Sequence, residues 1–177
     1  MVTSKNKQRL AGLVVGILIV GGLAFGISQA VGGTDTGGTA SADRQAEVAR
    51  NGARVMPFDL TRTTHTFTDT GSGGREVVTA IDPADTQQID LIRGHLEGLI
   101  PKFSSGDFSD PAAIHGDAMP GLAELRAGYN RIEFIYEELS DGGAITYKTA
   151  DPVMVSVLHT WFAAQRGDHG STHHTTQ

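Results

Sequence analysis

The chain has no cysteine among its 177 residues, and this absence removes several kinds of chemistry at once. Disulfides, thiolate nucleophiles, Cys-ligated zinc and iron–sulfur clusters all need cysteine thiols. A bound metal ion would therefore have to be held by His, Met and carboxylate side chains. The seven histidines consequently become the residues that matter most for any metal hypothesis.

Charge is missing from residues 10–34, a long apolar run. At 1.5 Å per residue, the part from Leu10 to Ala30 is long enough to cross a hydrocarbon core about 30 Å thick. We therefore predict a transmembrane helix over residues 10–31, and with it a location in the cell membrane. The alternative is a signal peptide cleaved after Ala30, although the apolar region exceeds the usual length of about 7 to 15 residues.

Lys5, Lys7 and Arg9 lie just before this segment, and no basic residue follows it closely. The positive-inside tendency then predicts that residues 1–9 are cytoplasmic and that the C-terminal domain is extracytoplasmic, in a single-pass topology.

Basic residues are scarce in the rest of the chain, where eleven Lys and Arg stand against 20 Asp and Glu, a net charge of −9. Nucleic acids and anionic lipid surfaces would be repelled by such a domain. The expected partners are the membrane, through the N-terminal helix, and another protein.

The predicted extracytoplasmic domain spans residues 46–168. The preceding "GGTDTGGTASADRQ", residues 32–45, has too little apolar surface to fold and predicts a flexible linker. A short helix follows, with Asn51-Gly52 as its predicted end. Residues 169–177, which include His173 and His174, predict a disordered tail.

Two segments share the pattern of a β-hairpin followed by an amphipathic helix. In the first, residues 61–81 alternate with His65 and Phe67 on one face and turn at Gly71 to Gly74; the helix has Asp82 as predicted N-cap and ends or kinks near Pro101.

In the second segment, residues 130–150 turn at Asp141 to Gly143, and a helix begins at Asp151-Pro152. Two ββα units predict an α+β fold, in which a four-stranded antiparallel sheet carries both helices on one face. The insertion between the units contains a short predicted helix around Leu122 to Arg126.

Histidine spacing offers no strong metal motif, since neither long helix contains His-x-x-x-His or Glu-x-x-His. The predicted fold nevertheless brings strand and helix histidines towards the rim of the core, and Met56 or Met119 would add a thioether. Such a donor set suits copper, and neutral imidazoles also suit zinc or nickel. The alternative is that these histidines only pack against the core. The candidate ligands are His65, His95, His115, His159 and His169.

We consider three functions. The first is a binding or accessory domain, with a copper or zinc site as its proposed centre. The second is an enzyme for a small solute, in which Arg62 and Arg126 bind an anion and His115 is the general base. The third is a structural partner of a membrane complex, recruited through the glycine-rich helix.

Three stretches, "MPFDLTRTTHTF", "GDFSDPAAIHGDAMPGLAELRAG" and "VLHTWFAAQRGDHG", resemble a family of small exported or membrane-anchored bacterial domains without an established function. The resemblance covers residues 44–170 and implies an exported domain. Members of that family are sometimes labelled aspartate carbamoyltransferase by automated naming.

That label implies a phosphate loop of the Ser-Thr-Arg-Thr-Arg type at the start of a helix. Leu60 stands here in place of the serine, His65 lies near the position of the second arginine, and the context predicts a strand. We therefore do not transfer a carbamoyl-phosphate role to Arg62. The residues that are similar to the loop are Phe58, Thr61, Arg62, Thr63 and Phe67.

Overall fold

The computed structural model describes residues 36–169 and confirms an α+β fold built on a four-stranded antiparallel sheet. Single turns of 3-10 helix precede the first and third strands, at Leu60–Arg62 and Tyr129–Arg131. The helices and strands, in chain order, are α1 (Thr36–Val55), β1 (Thr63–Thr70), β2 (Gly73–Ala80), α2 (Thr86–Ser104), α3 (Ser109–His115), α4 (Leu122–Gly128), β3 (Glu133–Leu139), β4 (Gly142–Lys148) and α5 (Pro152–His169).

Both predicted hairpins form, each with a two-residue turn. Thr70 pairs with Gly73 in the first, and Leu139 pairs with Gly142 in the second. The hairpins join through β2 and β4, which gives the strand order β1-β2-β4-β3.

One face of the sheet carries the core, because side chains of paired residues point to the same side. Phe67 pairs with Glu76, and Glu76 pairs with Ile145, so these three residues share the covered face. On the opposite face Thr64 and Thr66 are exposed. The alternation predicted for β1 is therefore confirmed.

The helices of the two ββα units, α2 and α5, each pack on the hairpin of the other unit. Helix α2 contacts β3, β4 and β2, whereas α5 contacts β1 and β2. Phe162 of α5 lies against Phe67, with ring centroids 5.5 Å apart, and a Cβ at Gly74 would collide with its ring. Phe103 of α2 packs on Phe134 of β3 at 5.7 Å. Each helix thus lies on the hairpin of the other unit, and the two units share one core.

Helix α1 differs from its sequence-based prediction at both ends. It begins at Thr36, within the predicted linker of residues 32–45, and it passes through Asn51-Gly52 to Val55. Tertiary contacts overcome the low helix propensity of this segment: Val48 is buried, and a Cβ at Gly52 would lie 2.9 Å from Leu60 Cδ1. Glycine here serves close packing and does not end the helix.

Helix α2 differs from its prediction as well, because it both begins and ends later along the chain. Asp82 closes a turn by accepting a hydrogen bond from the Ala84 backbone, and the N-cap is Asp85, which accepts one from the Gln88 backbone. The last turn continues beyond Pro101 because Phe103 is buried in the core. By contrast, Asp151 caps α5 as predicted, accepting a hydrogen bond from the Val153 backbone.

The insertion contains two helices. The predicted short helix is α4, whereas α3 was not predicted from the sequence and ends at His115. At the C-terminus, His169 belongs to α5 and not to a disordered tail.

None of the helices within residues 36–169 combines the length and apolar character needed to cross a bilayer. The predicted transmembrane helix, residues 10–31, and the final residues with His173 and His174 lie outside the described part of the chain.

We expect Phe162→Ala to lower the free energy of unfolding by about 3–5 kcal/mol, because it removes a fully buried ring from the contact between α5 and the sheet. Val153→Ala is the matched control on the same helix, because Val153 is 63% exposed, and it should change stability by less than about 0.5 kcal/mol. Urea unfolding measures both; equal effects of the two variants would contradict this packing.

Candidate functional site

Three of the five candidate histidines lie side by side, although they come from three different elements. His169, at the end of α5, stacks on His65 of β1 with ring centroids 5.4 Å apart and planes inclined by 2°. On its other side it meets His115, the last residue of α3, at 5.2 Å and 79°. We refer to His65, His115 and His169 as the imidazole cluster.

The other two candidates have different positions. His95 of α2 makes no ring contact with the imidazole cluster, but both His95 and His65 contact the Phe58 ring, at 5.6 Å and 5.9 Å. His159 is engaged elsewhere: its Nε2 lies 3.0 Å from the Thr70 carbonyl and 2.9 Å from the Gly73 carbonyl, at the turn of the first hairpin. The structure does not bring His159 to the cluster.

A small cavity of about 30 Å³, called here the inner cavity, adjoins the imidazole cluster. Its lining is rich in groups that bind metals or form hydrogen bonds. Three imidazoles, a thioether and a carboxylate are among them: His65, His95, His169, Met56 and Glu76. The other candidate thioether, Met119, is buried in the hydrophobic core and lines neither this cavity nor the next one.

A larger and open cavity of about 460 Å³, called here the outer cleft, lies between α1 and β1. It shares four lining residues with the inner cavity: Met56, His65, Ile114 and His169. These four side chains therefore form a common wall between the two spaces.

Asp168 connects the cluster to two helices distant in sequence. Arg44 of α1 donates to both of its oxygens, with Nε at 2.9 Å and Nη2 at 2.6 Å, and Nη2 also donates to the His115 carbonyl at 2.7 Å. His115 Nδ1 lies 2.8 Å from Asp168 Oδ2. Burial raises the pKa of Asp168, but hydrogen bonds from Arg44 and His115 outweigh that effect and hold it below its ordinary value. Asp168 is therefore an anion that orients His115.

The imidazole cluster is neutral at physiological pH. Burial, reinforced by neighbouring histidines, lowers the pKa of His65 to about 3, and burial lowers that of His169 to about 4. Burial also brings the pKa of His115 below its ordinary value despite the contact with Asp168. Since Asp168 can only accept, the Nδ1 of neutral His115 carries the proton, which leaves Nε2 with a free lone pair.

Glu76 is a buried carboxyl group whose only hydrogen-bond donor in the described part of the chain is a tyrosine. Tyr147 Oη donates to Glu76 Oε2 at 2.7 Å. Burial raises the pKa of Glu76 to about 7, and burial together with this carboxylate raises the pKa of Tyr147 well above its usual range. Glu76 can thus gain or lose a proton near neutrality.

Three polar atoms next to the inner cavity have no hydrogen-bond partner within the described residues. They are His65 Nε2, Trp161 Nε1 and Gln165 Oε1, and all three residues line that cavity. Trp161 is almost fully buried. Unpaired buried polar atoms are costly, and several of them around one cavity indicate a place where a ligand can form hydrogen bonds.

The residues proposed for an anion-binding enzyme do not meet. Arg62 pairs with Asp85, the N-cap of α2, and Arg126 donates to Asp117 at 2.8 Å. His115 pairs with Asp168, and none of the three lines the inner cavity or the larger cavity beside it, between α1 and β1. Neither of these two cavities therefore brings the three residues together.

Sequence patterns do not single out Glu76, Gln165, Asp168 or Arg44. The inward position of Glu76 follows from the hairpin register once the turn is fixed at Gly71-Ser72, so a signal was present. Gln165 lies four residues after Trp161, on the same helical face. The pairing of Arg44 with Asp168 joins residues 124 positions apart and has no local signal.

Within residues 36–169, no three His, Asp or Glu side chains converge on one point at metal-ligand distance. Comparison of the chain with protein-family models, curated proteins and solved structures found no match.

We expect the stability difference between Glu76→Gln and the original chain to grow with pH. The folded pKa of about 7 lies above the ordinary value of 4.5, so burial of Glu76 has no ionisation cost below pH 4.5 and an increasing cost as the pH rises through 7. Glutamine still accepts from Tyr147. The variant should gain up to about 3 kcal/mol relative to the original chain between pH 4.5 and pH 8, measured by urea unfolding. A difference independent of pH would contradict a buried, titrating Glu76.

We expect Arg44→Leu to destabilise the domain by about 1–2 kcal/mol, because it leaves Asp168 without its cation; the partial exposure of Arg44 keeps the effect modest. Arg50→Leu, an exposed position on the same helix, should change stability by less than about 0.5 kcal/mol. Thermal unfolding compares the two. Similar losses would mean that charge on α1, and not the Asp168 contact, is responsible.

Proposed function

We propose that this protein is a membrane-anchored binding domain whose imidazole cluster and inner cavity take up a transition-metal ion, with copper as the best match. The observation that carries the proposal is the lining of the inner cavity, where His65, His95 and His169 meet Met56. Neutral imidazole and thioether are the donors that soft Cu(I) prefers.

The spacing of the rings supports this proposal. Two imidazoles that bind one ion at about 2.1 Å from nitrogen to metal have ring centroids about 5 Å apart in a tetrahedral arrangement. The observed separations are 5.4 Å for His65 and His169 and 5.2 Å for His115 and His169. The distances between ring centroids are therefore compatible with a shared ion, although the ring nitrogens do not converge on one point in the structure.

The environment of His115 is a second argument. Metal-binding histidines commonly donate their other ring N–H to a carboxylate, which fixes the tautomer and the ring orientation. Asp168 has this relation to His115. Because the pKa values of His65 and His169 are low, protons would not compete with the ion at neutral pH.

Binding would require the rings to turn. The planes of His65 and His169 are almost parallel, so their in-plane lone pairs do not point to one position. Rotation about the side-chain torsions of one of them would aim its free nitrogen at the cavity. His65 Nε2 makes no hydrogen bond within the described residues that would oppose this rotation.

The proposed location follows from the sequence. Residues 10–31 would anchor the chain, and the basic residues before them would keep the N-terminus in the cytoplasm, so the binding domain would face the outside.

We expect the full chain in detergent to bind Cu(I), measured by competition with a coloured Cu(I) chelator such as bicinchoninate. His65→Ala and His169→Ala should each weaken binding at least tenfold, because each removes a proposed ligand, and Met56→Leu should weaken it less. The retained structure of each metal-free variant is checked by its thermal unfolding.

His159→Ala is the matched control. It removes a histidine of the same domain that is engaged with the first hairpin turn, and it should leave Cu(I) affinity unchanged. Absence of Cu(I) uptake by the original chain, or equal loss in His65→Ala and His159→Ala, would overturn the proposal.

A further inference from the structure

The outer cleft has the properties of a site for an organic molecule, which the proposed metal function does not use. Its volume of about 460 Å³ lies within the range of about 300 to 1,000 Å³ that small-molecule sites occupy. It is an open cavity bounded by α1 on one side and by β1 and the segment after β2 on the other, and molecules can enter it from solvent.

Most of the wall of the cleft is apolar. Carbon-rich side chains come from α1, from the approach to β1, from the end of the first hairpin and from α3. Ile81, which is 63% exposed, lies at this cleft. The apolar lining residues are Val48, Ala49, Met56, Leu60, Ile81 and Ile114. A ligand would therefore bury mainly hydrocarbon surface here.

The polar side chains that line the cleft are Gln45, Thr63, Thr64, His65, Asp168 and His169. The charge of Asp168 is already balanced by the two hydrogen bonds from Arg44. The two imidazoles add ring nitrogens that can donate or accept hydrogen bonds. The cleft thus provides hydrogen bonds without an unbalanced charge.

We propose that the outer cleft binds an uncharged, mostly apolar molecule that carries a hydroxyl group, such as a phenol or an alcohol with a ring or short-chain body. The hydrocarbon part would lie against Val48, Leu60 and Ile114, and the hydroxyl, which both donates and accepts, would bond to the imidazole of His65 or His169. An anion would lose its hydration without gaining a free cation, since Arg44 is engaged by Asp168.

The proposal does not depend on metal binding. The cleft lies on the solvent side of the wall that it shares with the inner cavity. Residues of α1 that line the cleft, such as Ala49, do not line the inner cavity. A substitution at Ala49 therefore tests the cleft alone.

The test uses the metal-free full chain in detergent, with 1-naphthol as the probe and naphthol fluorescence as the readout. We expect saturable binding to the original chain. Ala49→Phe, which places a ring in the cleft, should weaken it at least tenfold. Ala46→Phe is the matched control, an exposed alanine of the same helix that does not line the cleft, and it should bind like the original chain. Partition of naphthol into micelles is common to all three and cancels.

Two further arms examine the chemistry of the ligand. Naphthalene-1-sulfonate, with the same ring system and a negative charge, should bind at least tenfold more weakly than 1-naphthol. Cu(I) affinity, measured separately, should be the same in Ala49→Phe and in the original chain, which separates failure of this proposal from failure of the metal site. Naphthol binding that does not saturate, that survives Ala49→Phe unchanged, or that is matched by the sulfonate would overturn the proposal.

Discussion

The carboxylate of Asp168 holds together the parts of the molecule from which both cavities are built. It receives Arg44 from α1 and His115 from α3, and it stands one residue before His169 at the end of α5. Helix α1 is held by this ionic contact, by the burial of Val48, and by hydrogen bonds from Gln45 to the Gly167 carbonyl and from Asn51 to the Ile114 carbonyl. Because α1 forms one wall of the outer cleft and His169 forms part of the common wall, a shift of Asp168 would alter both spaces.

The buried titratable groups oppose one another as the pH changes. Below pH 6.5 histidines of the unfolded chain take up protons, whereas His65 and His169 stay neutral in the folded state because their pKa values are low. Acidification therefore lowers the free energy of unfolding. Glu76 has the opposite effect, because its pKa of about 7 means that acidification relieves the cost of burying a carboxylate. The two effects overlap and partly cancel between about pH 4.5 and 6.5. The packed aromatic core of Phe103, Tyr147 and Phe162 must offset the remaining free-energy cost of burying these titratable groups. A fold that keeps costly polar groups around one cavity is typical of a site under functional constraint.

Local patterns predicted the sheet and the order of its elements, because each was encoded over a few residues. The glycine-rich segments marked the places of both hairpins, although the turn residues are Gly71-Ser72 and Ser140-Asp141 and the glycines that follow them belong to strands β2 and β4. The alternation in β1 placed His65 and Phe67 on the covered face. The same Asp-Pro motif gave one correct cap, at Asp151, and one misplaced cap, at Asp82, since Asp85 is a competing acceptor three residues later. The extent of α1 and the approach of His115 to His169 were beyond local reasoning, because they depend on Asp168 and Arg44, which are distant in sequence. The position of His159 away from the imidazole cluster likewise depends on distant residues, because its ring contacts carbonyl groups at the turn of the first hairpin.

The common wall makes the two proposed sites thermodynamically dependent on each other. The two proposed sites would use the same ring nitrogens of His65 and His169. A given lone pair can bind an ion in the inner cavity or accept a hydrogen bond from a hydroxyl group in the outer cleft, but not both. If an ion draws a ring nitrogen inward, the cleft loses the acceptor on which its ligand depends, whereas the apolar contacts with Val48 and Leu60 remain. Coupling of this kind is reciprocal, so a cleft ligand that engages the same nitrogen must weaken the ion by the same factor. A molecule without a hydroxyl would use only the apolar wall and would leave the ion unaffected, so the coupling would arise from the ring nitrogens and not from crowding between the cavities.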